Sequence, residues 1–142
     1  MKLKDKAKKY IRKWITRLTD KKFNEEHGMY WHMHKRSKRA CGCALGALED
    51  VLIKDKLAKR VEAAYDDPTV IWESNTNSYD IGHLSGIPDD IINEAENIFE
   101  GWACQDSKNV KLDTDGHRIK QSFQDVAKYL KSVLTVKKRS KK

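Results

Sequence analysis

"KRSKRACGCALGALEDVL", Lys35 to Leu52, passes from four cationic side chains through two cysteines into an apolar helical pattern. Its second half predicts a core helix that starts near Cys43 and buries Leu45, Leu48, Val51 and Leu52, because residues three and four apart share one helix face. Gly46 in that helix permits close approach of another backbone. The helix continues, or restarts after Lys56, through Leu57, Val61, Ala64 and Tyr65. Asp67-Pro68 ends it, since the residue before proline is pushed out of helical conformation. The first half of the stretch reads as a basic loop delivering the chain into this helix.

Upstream, Leu3, Ala7, Tyr10, Ile11, Trp14, Ile15 and Leu18 fall on one stripe of a 3.6-period helix, while Lys4, Lys6, Lys9, Arg12, Lys13 and Arg17 fall on the other face. Packing that stripe on the protein's own core is its ordinary use, each large side chain contributing roughly 1.5 to 3 kcal/mol. Between Phe23 and Arg39 periodicity fails, and a loop or short ribbon is expected. Downstream, Thr69 to Glu73 is β-prone and Ser78 to Leu84 reads as its returning partner in a hairpin. Pro88 fits the first position of a third helix with Asp89 and Asp90 in its first turn, burying Ile91, Ile92, Ala95, Ile98 and Phe99 and ending near Gly101. Asp115-Gly116 reads as a turn between short strands at Val110 to Leu112 and His117 to Ile119. Ser122 and Asp125 read as a capping-box start for a last helix with Phe123, Val126, Ala127, Leu130, Val133 and Leu134 on its apolar stripe.

Together these elements predict an α+β fold, mainly α, with about four helices and one or two short β-hairpins. Trp14, Leu45, Leu48, Val51, Ile98, Phe99, Phe123, Val126 and Leu130 are its expected core. At 142 residues the chain is one domain by size. Residues 1–135 are expected to form it, with residues 136–142 a flexible basic tail that has no hydrophobic anchor. No apolar run approaches the roughly 18 residues that cross a bilayer, and charges interrupt the N-terminal segment at every turn, so a soluble, non-exported protein is expected. Three cysteines without a secretion signal suit a reduced cytoplasm better than a disulfide framework.

The net charge of +8 conceals a larger separation. Residues 1–40 hold 14 Lys/Arg and 4 Asp/Glu, residues 41–107 hold 4 and 14, and residues 108–142 hold 11 and 3. Basic ends flank an acidic middle, a pattern that either closes on itself or offers basic surface to a polyanion.

Trp14 followed by Leu18, "CALGAL" at Cys43 to Leu48, and "LDTDG" (Leu112 to Gly116) before "SFQDVAKYL" (Ser122 to Leu130) occur in that order. In this the sequence resembles a family of small phage and bacterial proteins carrying a tryptophan helix, a C-C-L-G-V-L-like segment, an L-N-D-like turn and an S-F-x-E-I-A-like last helix. Asp113 stands where that family has asparagine, and Gly42 separates two cysteines that are adjacent there. The resemblance implies a phage or prophage accessory protein of the kind that binds and alters host machinery in a bacterial cytoplasm.

Three chemistries compete for the remaining residues. His32, His34, Cys41 and Cys43 are of the types zinc accepts, but their spacing is not that of a zinc finger, and Lys35, Arg36, Lys38 and Arg39 would surround a dication with like charge. No metal or cofactor is therefore expected. Cys43 at a helix start beside a basic run can be read as a low-pKa nucleophile, with His83 and Asp80 as base and orienter of a thiol hydrolase. Its ordinary reading is a small core residue. The favoured reading is a non-catalytic protein that contacts nucleic acid or another polyanion through Arg12, Lys13, Arg17, Tyr30, Trp31, Lys35, Arg36, Lys38 and Arg39. The cations neutralise phosphates and the aromatic rings stack on unpaired bases. An inhibitor that binds an acidic host protein is the alternative, with Trp31, Tyr30 and Met33 as anchors.

Overall fold

The computed structural model describes residues 3–20, 22–25, 30–34, 40–62, 70–74, 80–100, 114–115 and 122–139. Helix α1 (Asp5–Leu18) forms where the apolar spacing places it and buries Ala7, Tyr10, Ile11, Trp14 and Leu18. The Trp14 indole donates to the carbonyl of Ala44 at 2.8 Å, which fixes α1 against the start of α2 (Ala44–Lys54). Every residue of α2 from Ala44 to Leu52 is buried, because this helix is wrapped on all sides: it touches α1, α3 (Ile81–Ser85), α4 (Asp89–Glu100) and the sheet strands β2 (Trp31–His34) and β3 (Ala40–Gly42). The expected core residues Leu45, Leu48 and Val51 are among them, and so are Glu49 and Asp50. The described chain is α+β and mainly α.

The β component is larger than two hairpins. With β1 (Asn24–Glu25), β4 (Arg60–Glu62) and β5 (Val70–Ser74), the strands make one five-stranded sheet of order β1-β3-β2-β5-β4. Strands β1 and β3 are parallel and the other pairs antiparallel. Two expectations are corrected here, and the loop or short ribbon expected before Arg39 takes definite form. The aperiodic segment before Arg39 contributes the central strand β2, which pairs Trp31 with Gly42, His32 with Cys41 and Met33 with Ala40. The second helix stops at Lys54 instead of continuing through Val61. Lys56 adopts a left-handed φ of 63°, and the Leu57 N–H reaches back to the Leu52 carbonyl at 2.9 Å. This left-handed closure releases the chain into β4. The described part of the segment read as a returning strand, from Ile81, belongs to α3, closed by Gly86 at φ 77°. Strand β5 therefore pairs with β2 and β4.

Helix α4 buries Ile91, Ile92, Ala95, Ile98 and Phe99 as its period requires. Pro88 precedes it by one position, and its carbonyl accepts the N–H groups of Ile91 and Ile92 at 3.1 and 3.3 Å. Helix α5 (Phe123–Arg139) opens on Ser122, whose N–H donates to the Asp125 carboxylate at 3.1 Å, the return half of a capping box. The Phe123 N–H donates to Glu25 at 2.7 Å, so the same helix start is tied to β1. Phe123 packs its ring 5.8 Å from Phe23 and 5.2 Å from Phe99. The helix runs into the segment expected as a basic tail, while the expected strands around Val110 to Leu112 and His117 to Ile119 lie outside the described residues. Among the described residues no helix is long and apolar enough to cross a membrane.

Glycine has a definite task at the junction of sheet and helix. A methyl group on Gly46 or on Gly42 would collide with the Tyr30 carbonyl oxygen, so α2 and β3 reach the backbone of Tyr30 only because both positions lack a side chain. Gly46→Ala is expected to destabilise the protein by about 1 to 3 kcal/mol, the usual cost of overpacking. Urea unfolding followed by tryptophan fluorescence checks this, and an unchanged midpoint would contradict the close approach.

Candidate functional site

The cations of α1 fall into an exposed and a half-buried group. Lys4, Lys6, Lys9 and Arg12 are exposed, whereas Lys13 and Arg17 are half-buried and turn toward α2. Arg17 Nε lies 3.1 Å from Asp50, and one of its terminal nitrogens lies 3.3 Å from Asp20. Lys54 Nζ reaches Asp50 at 3.7 Å from the same helix, an i,i+4 pair. Lys13 Nζ donates to Asp55, the C-cap of α2, at 2.7 Å. That bond is the main reason the Asp55 carboxyl is held below the usual carboxylate range. The Tyr10 hydroxyl also donates to Asp55, while burial is the larger cause of that phenol's raised pKa. Lys9 and Lys13 both stand over the Tyr10 ring, at 5.6 and 5.5 Å from its centroid.

Between the two helices lies an open cleft of about 300 Å³. Arg12, Lys13, Thr16 and Arg17 line it from α1, and Val51, Lys54 and Asp55 from α2. Four cations thus share one concavity with Asp55, while Asp50 lies almost wholly buried behind them, its side chain 6% exposed. Arg12, Lys13 and Arg17, expected as anion contacts, come together here. Sequence reasoning missed Lys54, Asp50 and Asp55. Their signal was an acidic and basic pair four apart on α2, which acquires meaning only once α1 lies beside it.

The expected aromatic contacts take another role. Trp31 is 1% exposed, and its indole N–H donates to Asp50 at 3.2 Å. Its ring face is therefore spent on the core, which corrects its assignment as a base-stacking or anchoring residue. Tyr30 is half-buried and donates its hydroxyl to Glu49 at 2.7 Å. Lys35, Arg36, Lys38 and Arg39 lie outside the described residues.

The metal and thiol alternatives meet physical obstacles. His32 Nε2 and Cys41 Sγ are 3.1 Å apart in the buried ladder of β2 and β3, while Cys43 Sγ points at the Tyr30 carbonyl, 3.9 Å away. Among the described residues no group of three or more His, Cys, Asp and Glu is arranged to hold a metal ion. At Cys43 the N–H groups of Leu45 and Gly46 do favour thiolate, as expected for a helix start, but burial outweighs them and pushes the thiol up to about 11. His83 is exposed on α3, and among the described residues no hydrogen bond joins it to Cys43. The expectation of a lowered Cys43 pKa is corrected accordingly.

In comparisons with known proteins, no family model matches the chain, and no curated protein or solved structure is significantly similar to it.

Cys43 sets a measurable pH dependence. Its folded pKa lies above the ordinary value of 9.0, so its contribution to stability is complete below pH 9 and is lost as pH rises toward about 11. Iodoacetamide at pH 7.5 is expected to alkylate Cys43 far more slowly in the native than in the urea-unfolded protein, read by mass spectrometry of the peptide. Equal rates would contradict a buried neutral thiol.

Proposed function

We propose that the protein is a non-catalytic binder of the phosphate backbone of nucleic acid, acting through the exposed cations of α1 in a bacterial cytoplasm as a phage-type accessory protein. The observation that carries this reading is the set of exposed cations at the start of α1 and along it. Lys4, at the N-cap of α1, and Lys6, Lys9 and Arg12 within the helix are exposed, and among the described residues none of the four is ion-paired to a carboxylate. An exposed ammonium or guanidinium without a protein partner keeps its counterion atmosphere, which a phosphate chain releases on binding. The half-buried group, Lys13 and Arg17, is already neutralised by Asp55 and Asp50. The basic stretch at Lys35, Arg36, Lys38 and Arg39 adds to the same cationic character in this reading. With Trp31 in the core, base stacking contributes little, so contacts to phosphate dominate and sequence preference is weak. An acidic host protein would meet the same cations without the counterion release of a nucleic-acid strand.

Fluorescence anisotropy with a labelled 20-nucleotide single strand, repeated across salt concentrations, tests the reading. The logarithm of the association constant is expected to fall linearly with the logarithm of salt. The double variant Lys9→Ala/Arg12→Ala is expected to flatten that slope by about 1.4, at about 0.7 for each phosphate that the variant no longer neutralises. Absence of binding at low salt, or a slope unchanged in the variant, would overturn the assignment.

A further inference from the structure

We infer that the cleft between α1 and α2 is a phosphate-binding subsite in which an incoming phosphate replaces the Asp55 carboxylate as the partner of Lys13. This deepens the reading above and rests on it. The distribution of charge within the cleft, more than its sum, favours an anion. Arg12, Lys13, Arg17 and Lys54 face Asp50 and Asp55 across it, and the C-terminal ends of the two helices add about half a negative charge each. Asp20, paired with Arg17 at 3.3 Å, adds a third carboxylate, so the cleft is close to neutral in sum and its unpaired charge is that of Arg12 at the rim. The pairing within it is uneven, and that unevenness decides which carboxylate gives way. Asp50 is 6% exposed and also accepts the Trp31 indole N–H, so it stays with Arg17, while Lys54, 3.7 Å away with its side chain 57% exposed, keeps donors for the cleft. The Asp55 side chain is 25% exposed and that of Lys13 40% exposed, so their bond faces solvent and breaks at small cost.

Arg12 supplies what the internal pairs cannot, a guanidinium on the rim with no carboxylate of its own among the described residues. A phosphate with several acceptor oxygens can receive Arg12, Lys13 and Lys54 together, whereas a carboxylate presents two oxygens in one plane. Thr16 lines the cleft, but its hydroxyl already donates to the Arg12 carbonyl at 3.1 Å, so the basic side chains are the donors. The cleft volume of about 300 Å³ accommodates a phosphate group with a sugar attached and sits at the small end of ligand pockets. The phosphate is either a diester within a nucleic-acid strand or a free monoester or pyrophosphate.

Isothermal titration of the full chain with inorganic pyrophosphate at constant ionic strength provides the test, with Asp55→Asn and Lys54→Ala as variants and circular dichroism as the check that both fold. Asparagine preserves an acceptor for Tyr10 while releasing Lys13. Pyrophosphate is expected to bind the wild type, to bind Asp55→Asn more tightly by up to about fivefold, the worth of one exposed ion pair, and to bind Lys54→Ala more weakly by a similar factor. Binding that Asp55→Asn leaves unchanged or weakens would overturn the inference. If pyrophosphate fails to bind while the labelled strand still binds with a slope that depends on Lys9 and Arg12, the subsite is refuted and the nucleic-acid reading stands. If neither binds, both are refuted. Displacement of the labelled strand by pyrophosphate supports a subsite that takes strand phosphates. Pyrophosphate binding with the variant pattern above but no displacement supports a subsite for the free anion.

Discussion

The carboxylate of Asp50 is the constraint on which the rest of the molecule turns. It sits in the middle of the most buried helix and receives Arg17 from α1, Lys54 from its own helix and the Trp31 indole from the central strand. Burying such a charge costs several kcal/mol of lost hydration, and only a full set of donors offsets that. The three donors come from three elements, so the charge is stable only when α1, α2 and β2 are all in place. Its neighbour Glu49, fully buried, binds the Tyr30 hydroxyl in the same way. Two adjacent acids on α2 thus fasten the start of β2 to the helical layer, and Gly42 and Gly46 make room for the Tyr30 backbone between them.

This arrangement divides the basic end of the chain against itself. The acidic middle draws in Lys13 and Arg17, the half-buried cations of α1, and leaves the exposed ones unpaired among the described residues. A helix with an apolar stripe, an ion-paired flank and further exposed cations can be anchored in a core while still presenting charge to a polyanion. The same network takes Trp31 away from the surface. With Trp31 buried, this reading favours contacts with phosphate over contacts with bases.

Much of the helical layer was legible in the sequence, for reasons local to each segment. Trp14 and Leu18, Leu45 and Leu48, Ile98 and Phe99, and Val126 and Leu130 repeat at helical spacing, and Ser122 with Asp125 marks a helix start within four residues. The sheet was not legible. Trp31 and His32 form a strand because of partners nine to nineteen residues away, Cys41 and Asp50, which no short window contains. The end of α2 was hidden because a lysine takes the left-handed position that usually announces itself as glycine. Alternating polar and apolar residues around Ile81 imitated a strand, although five residues closed by Gly86 suffice for a short helix. At the candidate site, Arg12, Lys13 and Arg17 were visible on the helix wheel. The pairing that separates Arg12 from the other two depends on the packing of α2 against α1, and the sequence carries no sign of it.

The claim at the centre is that a polyanion meets the exposed cations of α1 and does not meet the aromatic strand. Amide chemical shifts of the isotope-labelled protein, followed during titration with a short single-stranded oligonucleotide at low salt, test it most directly. The shifts are expected to move along α1 around Lys9, Arg12 and Thr16 and to stay fixed at Trp31 and His32. Movement centred on β2, with α1 unchanged, would contradict it.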